Sequence, residues 1–320
     1  MKPAQVSRVC ACLAAVWAFA SPAIAQPFPA KPIRIVIGPG TDLVARLVGT
    51  KLTGMWGQQI IVDARPGAGG AIAADIVAKA SRDGHTWLIS TAVFTINAGL
   101  YEKPPFDLIR DFAPVTNLAS ASFFLLVHPA VPAKSMGELI ELARSKPNQL
   151  NYSSSGVGTP PHLAAEMFKS MARVSLVHVP YKSAAASLTD LLGGQVQVSF
   201  QFAPTALPHV KTGKVVALAV SSARRSVLAP QLPTIAEAGL PGYEVIGWNG
   251  VHVPKGTPRA IIEKMNTDLR QVLKLPDVQE RLLVAGLDVA GGTTEEFAAF
   301  VRKDIARFAT VIREAGIRPE

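Results

Sequence analysis

Hydrophobic and polar positions along the chain follow two alternating periods. Residues 31–37 (KPIRIVI), 59–62, 85–90, 123–127, 150–153, 176–179, 195–200, 215–220 and 247–253 are short apolar or alternating runs bounded by Gly, Pro or Asp, which predicts strands. Between them lie stretches whose apolar residues recur at helical spacing. These predict helices from Thr41 or Asp42 to about Trp56, over 71–80, from Ser135 through Arg144, from Pro160, over 184–192 with Gly193-Gly194 as stop, and over 204–212. Further helices start at Arg259 and Thr294, the latter with the apolar stripe Phe297, Val301, Ile305, Phe308 and a Thr293-x-x-Glu296 capping box. Strands alternating with helices imply an α/β fold with parallel sheet and right-handed crossovers. The alternation begins afresh after residues 123–127, so two domains are expected. Residues 26–124 with 247–320 form the first, because the C-terminal helices need a surface to cover; residues 125–246 form the second. The chain then crosses between them near 123–128 and 247–253.

Residues 150–168 (LNYSSSGVGTPPHLAAEMF) contain a strand, a small flexible turn and a helix start. Thr159 is a good N-cap, and Pro160 occupies the first helical position, where a missing N–H costs nothing. Leu163, Met167 and Met171 give the helix a buried face. A helix N-terminus preceded by glycines offers unpaired N–H groups and the positive end of a dipole, a setting for carboxylate or phosphate. An ordinary capped turn would leave the same trace.

Composition narrows the picture at the N-terminus first. Lys2 and Arg8 precede an apolar run over 9–20, and Ala23-Ile-Ala25 follows, so residues 1–25 read as a signal peptide removed after Ala25. That run is too short for a permanent membrane span, and Cys12 precedes most of it, against lipidation. Cleavage removes Cys10 and Cys12, the only cysteines, leaving no disulfide, thiol nucleophile or cysteine metal site. The formal charge of +9 falls to +7 with Lys2 and Arg8 and is spread without a basic run, which excludes nucleic acid and favours mild attraction of anions.

In an open parallel sheet, ligands collect beyond the carboxyl ends of the strands. Those ends are Gly38 to Thr41 (with Gly40), Ser90 and Thr91 in the first domain. In the second they are Ser154, Ser155, Gly156, Gly158 and Thr159, then Tyr181 and Gln201. Nearly all are small, hydroxylic or amide, able to hold an anion through charge-assisted hydrogen bonds without a buried arginine. Enzyme motifs fail beside this set. The glycine run over 65–70 would need its third G-x-G-x-x-G glycine at Ile72, and a G-x-S-x-G elbow around Ser155 would need glycine at Ser153. No H-E-x-x-H occurs, and no aspartate is placed to orient His162 or His178, which read as structural. Tyr181 reads as a cleft wall, Lys182 as a solvated rim charge and Trp248 as core. No catalytic residue, metal or cofactor is expected.

Residues 65–83 (RPGAGGAIAADIVAKASRD), 96–101 (INAGLY), 111–115 (DFAPV), 150–168, 178–183 (HVPYKS), 188–197 (LTDLLGGQVQ) and 233–242 (PTIAEAGLPG) resemble, in order and spacing, the Bug family of periplasmic solute-binding receptors of tripartite tricarboxylate transporters. The resemblance implies a two-domain periplasmic binding fold of type II, with two crossing strands and a hinge-closing cleft. It also implies a small carboxylate ligand, delivery to membrane permease subunits, a periplasmic location and no chemistry on the ligand; a monomer is expected. Its SSGxGT turn falls on Ser154, Ser155, Gly156, Gly158 and Thr159, and its facing cleft positions on Ser90 and Thr91. Two departures stand out. The first turn, 37–42, lacks about three residues of the family's pattern, which affects Gly40 and Thr41, and Gln201 stands where an aspartate is frequent. Two rival readings are a periplasmic hydrolase using Ser155 and a receptor that reports its closed form to a signalling partner.

Overall fold

The first strands assemble as their apolar runs predict. In the computed structural model, β1 (Ile33–Ile37) pairs in parallel with β2 (Ile60–Ala64) and with β3 (Thr86–Thr91). The structure describes residues 28–40 and 42–319. The leader read at 1–25, with Cys10 and Cys12, and the candidate site residue Thr41 lie outside the described residues. Every β1 residue but Arg34 is buried, and Arg34 reaches sideways to Asp63 on β2, 3.0 Å from its Nε. Two helices follow the pattern, α1 (Leu43–Trp56) and α2 (Ala71–Ala78). A third, α3 (Ala92–Leu100), is not among those expected. Phe94, Thr95, Ile96 and Asn97 are buried in succession, so the segment is enclosed on all sides and shows no one-faced periodicity.

The centre of the molecule is β4 (Phe112–Val127), much longer than the run expected over 123–127. Its first part pairs antiparallel with β9 (Ile246–Pro254), and residues 123–127 pair antiparallel with β7 (Val198–Phe202) and β8 (Val216–Val220). The strand therefore belongs to two sheets. In the first the order is β2-β1-β3-β9-β4, with β10 (Asp288–Gly291) on the far edge of β4. In the second, β8 and β7 flank β4, and β7 continues to β5 (Asn151–Ser154) and β6 (Val177–Pro180), which are parallel to one another. Outer strands are thus parallel, as the alternation with helices predicts, while β4 and β9 run antiparallel to their neighbours and make both sheets mixed. Side chains of residues 123–127 alternate across the second sheet: Phe123, Leu125 and Val127 enter one apolar cluster, Phe124 and Leu126 the other.

Helices α4 (Met136–Ser145), α5 (Pro160–Ala172), α6 (Ala184–Leu192) and α7 (Ala203–Lys211) cover the second sheet. Ser135 and Ser183 cap α4 and α6 by accepting from Glu138 N and Ala186 N. The C-terminal segment adds α8 (Arg259–Leu273), α9 (Pro276–Val284) and α10 (Thr294–Ala315), the last with its capping box intact. At 22 residues α10 is about 33 Å long, which lets it serve both sheets. Phe297 and Val301 pack in the cluster under the first sheet, and Phe308, Val311 and Ile312 in that of the second. The helix expected to cover the first domain thus also packs under the second sheet. Among the described residues no helix is long and apolar enough to cross a membrane.

Candidate functional site

Between the two sheets lies a cavity of about 220 Å³. Gly40 and the segment Thr91, Ala92, Val93 line it from the first lobe, and Pro160 and Phe202 from the second. Ala121 on β4 and Gly247, Trp248 and Asn249 on β9 form its floor, and Leu287 closes one side. Its volume is below the ~300–1,000 Å³ that suits drug-sized ligands, which favours a small solute. A larger groove of about 800 Å³, lined by Leu100, Glu102, Lys103 and the C-terminal end of α10, lies at the opposite end of α3 from the donors described next.

The best-formed anion pole is the N-terminus of α3. Its N-cap is Thr91, in extended backbone at φ −134° and ψ 175°, and the Thr91 side chain makes no capping bond. First-turn N–H groups have no intrahelical partner, so Ala92 and Val93, both in the cavity wall, carry donors and the positive end of the dipole. The Thr91 hydroxyl is buried and has no partner among the described residues. Thr91 pairs across the sheet with Asn249, a residue of the cavity floor. A carboxylate here would meet backbone and hydroxyl donors together.

The turn over 154–159 offers fewer donors than its sequence suggests. Pro160 and Pro161 are the first two helical residues and have no N–H. Gly158 N donates to His162 Nδ1 at 3.1 Å, and Gly156 N to Ser154 Oγ at 3.2 Å. The Thr159 hydroxyl donates to Gly156 O at 2.7 Å, where a side-chain helix cap was anticipated. Among the described residues this leaves the amides of Ser155, Val157 and His162 without partners. Ser155, Gly156 and Thr159 are half-buried, and the turn meets the cavity at Pro160. At Gly158, φ is +71° and a Cβ would stand 2.9 Å from Leu100 Cδ2, so this turn of the second lobe rests directly on α3 of the first.

Beneath the turn three rings stack. His162 and His178 lie 4.1 Å apart at 9°, and His178 lies 4.7 Å from Tyr152 at 12°. The Tyr152 hydroxyl donates to Glu166, which also accepts from Lys169 Nζ at 2.6 Å. Burial is the main cause that drives the histidine pKa values down, to about 3 at His162, where His178 adds to the shift, and to about 4 at His178. The neutral ring at His162 is what lets Nδ1 accept from Gly158. The structural role expected for both histidines fits these contacts.

Four expected cleft residues give their polar groups to neighbours of their own lobe instead. Ser90 is fully buried, its Oγ 2.8 Å from His252 Nδ1 and 3.2 Å from Gly250 O. Gln201, 3% exposed, donates from Nε2 to Ser187 Oγ at 2.9 Å and to Ser199 Oγ at 2.8 Å, within a buried network that includes Ser153. Tyr181 donates to Asp190 at 2.6 Å on its own lobe, and burial with that carboxylate pushes the phenol up to about 12. Ser154 is also buried, its Oγ shared between the turn and His178 Nε2 at 2.7 Å. In each case the hydroxyl or amide is taken up by a buried or half-buried neighbour, as strand-end polar groups are when the sheet is covered. Trp248 is 1% exposed, edge-on to Phe297 and Phe300, and is also one of the residues lining the cavity. Lys182 is exposed, as expected.

The serine next to a histidine is Ser154, not Ser155, and it is buried, which removes the geometry of a Ser155 hydrolase. Among the described residues no group of three or more His, Cys, Asp or Glu is placed to hold a metal ion.

Two lobes with mixed sheets, joined through the shared strand β4 around a small donor-lined cavity, define a periplasmic solute-binding protein fold. The chain belongs to the tripartite tricarboxylate transporter family of receptors, whose profile matches residues 44–317. Protein BugT of Bordetella pertussis is 32% identical over 305 residues, covering 93% of this chain and 94% of that protein. Rpa4515 of R. palustris, solved with adipate, is 36% identical with a TM-score of 0.77, covering 92% of this chain and 100% of the other. MatC from Rhodopseudomonas palustris, solved with bound malate, is 30% identical with a TM-score of 0.73, covering 89% and 100%. Members of the family are solute-binding receptors and not enzymes.

Proposed function

We propose that this protein is a periplasmic receptor that closes its lobes over a small mono- or dicarboxylate and delivers it to the permease subunits of a tripartite tricarboxylate transporter. The observation that carries the reading is the α3 N-terminus, which opens, beside the buried and unpartnered Thr91 hydroxyl, onto a cavity that Pro160 and Phe202 of the other lobe complete. In this reading one carboxylate oxygen takes the amides of Ala92 and Val93 and the hydroxyl of Thr91. The other faces the amides of Ser155, Val157 and His162 once the lobes approach. Gly40 and Asn249 contact the body of the solute. Closure is a population shift, since a ligand stabilises the closed form only through contacts that both lobes make with it. Relatives that hold adipate and malate support a small organic acid. Removal of residues 1–25 would release the mature chain into the periplasm, where it acts as a monomer with lobes of residues 26–124 plus 247–320 and 125–246. The test is calorimetry of the mature protein with adipate, malate and benzoate, beside mass spectrometry of any acid retained on purification. Binding of at least one acid in a single site is expected; no heat with any acid and no retained acid would refute the reading.

A further inference from the structure

One buried ionisable group outside the cavity touches two of its walls. Asp304, near the middle of α10, is 1% exposed. Its Oδ2 lies 3.0 Å from Trp248 Nε1 and 2.7 Å from Thr95 Oγ1. Trp248 is part of the cavity floor, and Thr95 lies in the opening turns of α3, its hydroxyl also 2.9 Å from Ala92 O. The single Thr95 proton serves one acceptor at a time, so Asp304 and Ala92 share it. The nearest cation is Arg307, whose Nη1 stands 3.8 Å from Asp304 Oδ1 and whose other nitrogen donates to Glu244 Oε2 at 3.0 Å.

We infer that Asp304 is a positioning residue of the solute site, holding the indole of Trp248 and the start of α3 in the one arrangement that sets the cavity's aromatic floor against its amide donors. The inference rests on the receptor reading above. A need for stability alone does not explain a carboxylate here. Burial pushes its pKa up, its contact with Arg307 is long, and an apolar residue of like volume would avoid the desolvation. What an acceptor oxygen here does, and an apolar residue could not, is accept from two donors on different elements at once, β9 and α3. Because α10 continues into the core of the second lobe, the same residue ties both walls to the helix that spans the lobes.

The test uses the full mature protein and whichever of adipate, malate and benzoate it binds. Asp304→Leu removes the acceptor; Asp304→Asn keeps an acceptor oxygen in the same place. The affinity of Asp304→Leu should fall at least about tenfold, and that of Asp304→Asn should stay within about threefold of the parent, the scale of one or two hydrogen bonds. In the parent and in Asp304→Asn the Trp248 indole N–H should also exchange slowly with solvent, and in Asp304→Leu quickly. Should Asp304→Leu not fold, Thr95→Val deletes one donor and keeps the shape, and its affinity should fall about threefold or more. A lowered melting temperature with unchanged affinity in Asp304→Leu, or in Thr95→Val where that variant stands in, would overturn the assignment and leave a purely structural residue. So would an Asp304→Asn variant that binds as poorly as Asp304→Leu. A parent that binds none of the acids would instead sink the receptor reading, and this inference with it.

Discussion

Thr91→Val separates stability from function, because the two should move in opposite directions. The Thr91 hydroxyl is buried without a partner among the described residues, while its backbone sits at the end of β3, where a β-branched residue of the same shape fits. An unsatisfied buried hydroxyl costs about 1–3 kcal/mol, so replacing it with a methyl should stabilise the unliganded protein by about 1 kcal/mol. For a chain of this length that raises the melting temperature by about 1–3 °C. The solute should suffer the reverse. If the hydroxyl donates to a carboxylate, losing a charge-assisted hydrogen bond of about 1.5–3 kcal/mol weakens binding roughly 10- to 150-fold. Thermal melting of the free protein and calorimetry with its acid give both numbers on one sample. A variant that melts lower and binds unchanged would refute the reasoning, since the hydroxyl would then be satisfied in the free protein and idle in the complex.

Other outcomes follow from the same geometry. Ala92→Pro places proline at the first position of α3, after a residue already extended, so the fold should survive. With the Ala92 amide donor gone, the dissociation constant should rise about tenfold, read by calorimetry beside an unchanged circular dichroism spectrum. At Gly286, φ is +68° and a Cβ would stand 1.8 Å from Pro204 Cγ on the other lobe. Gly286→Ala should therefore destabilise by about 1 kcal/mol or more, enlarge the radius of gyration in solution scattering and weaken the acid; unchanged scattering and affinity would contradict it. His162, His178 and His252 are held neutral by burial, with pKa values of about 3, 4 and 3 against about 6.5 in the unfolded chain. Lowered values mean that their contribution is complete above pH 6.5 and is lost as pH falls from there toward 4 and 3. The urea midpoint should decline over that window, whereas a midpoint that rises on acidification from 6.5 to 4.5 would contradict the assignment.

Much of the fold could be read from local pattern, and the limits of that reading are physical. Strands such as β1 and β8 announce themselves as apolar runs between breakers, and the Thr293 and Ser135 caps as short-range motifs. Helix α3 escaped because it is enclosed on every side, leaving no stripe to detect, and it carries the strongest donors near the site. Thr91 was legible as a strand end; that Ser90 beside it turns to His252 depends on β9, 160 residues away. Pro161 was a signal available in the sequence, since a second proline removes a second helical donor from the turn over 154–159. The partners of that turn, His162 and His178, come together only when β5, β6 and α5 pack. Gln201 and Asp304 show the same limit, each defined by neighbours distant in sequence.

The central claim is that one small carboxylate is gripped by backbone donors from both lobes. Amide-resolved NMR of the mature protein titrated with its acid tests this most directly. The account predicts that the N–H resonances of Ala92 and Val93 on one lobe and of Ser155, Val157 and His162 on the other shift together, saturating at one equivalent. Shifts confined to one lobe, or centred away from these amides, would contradict it.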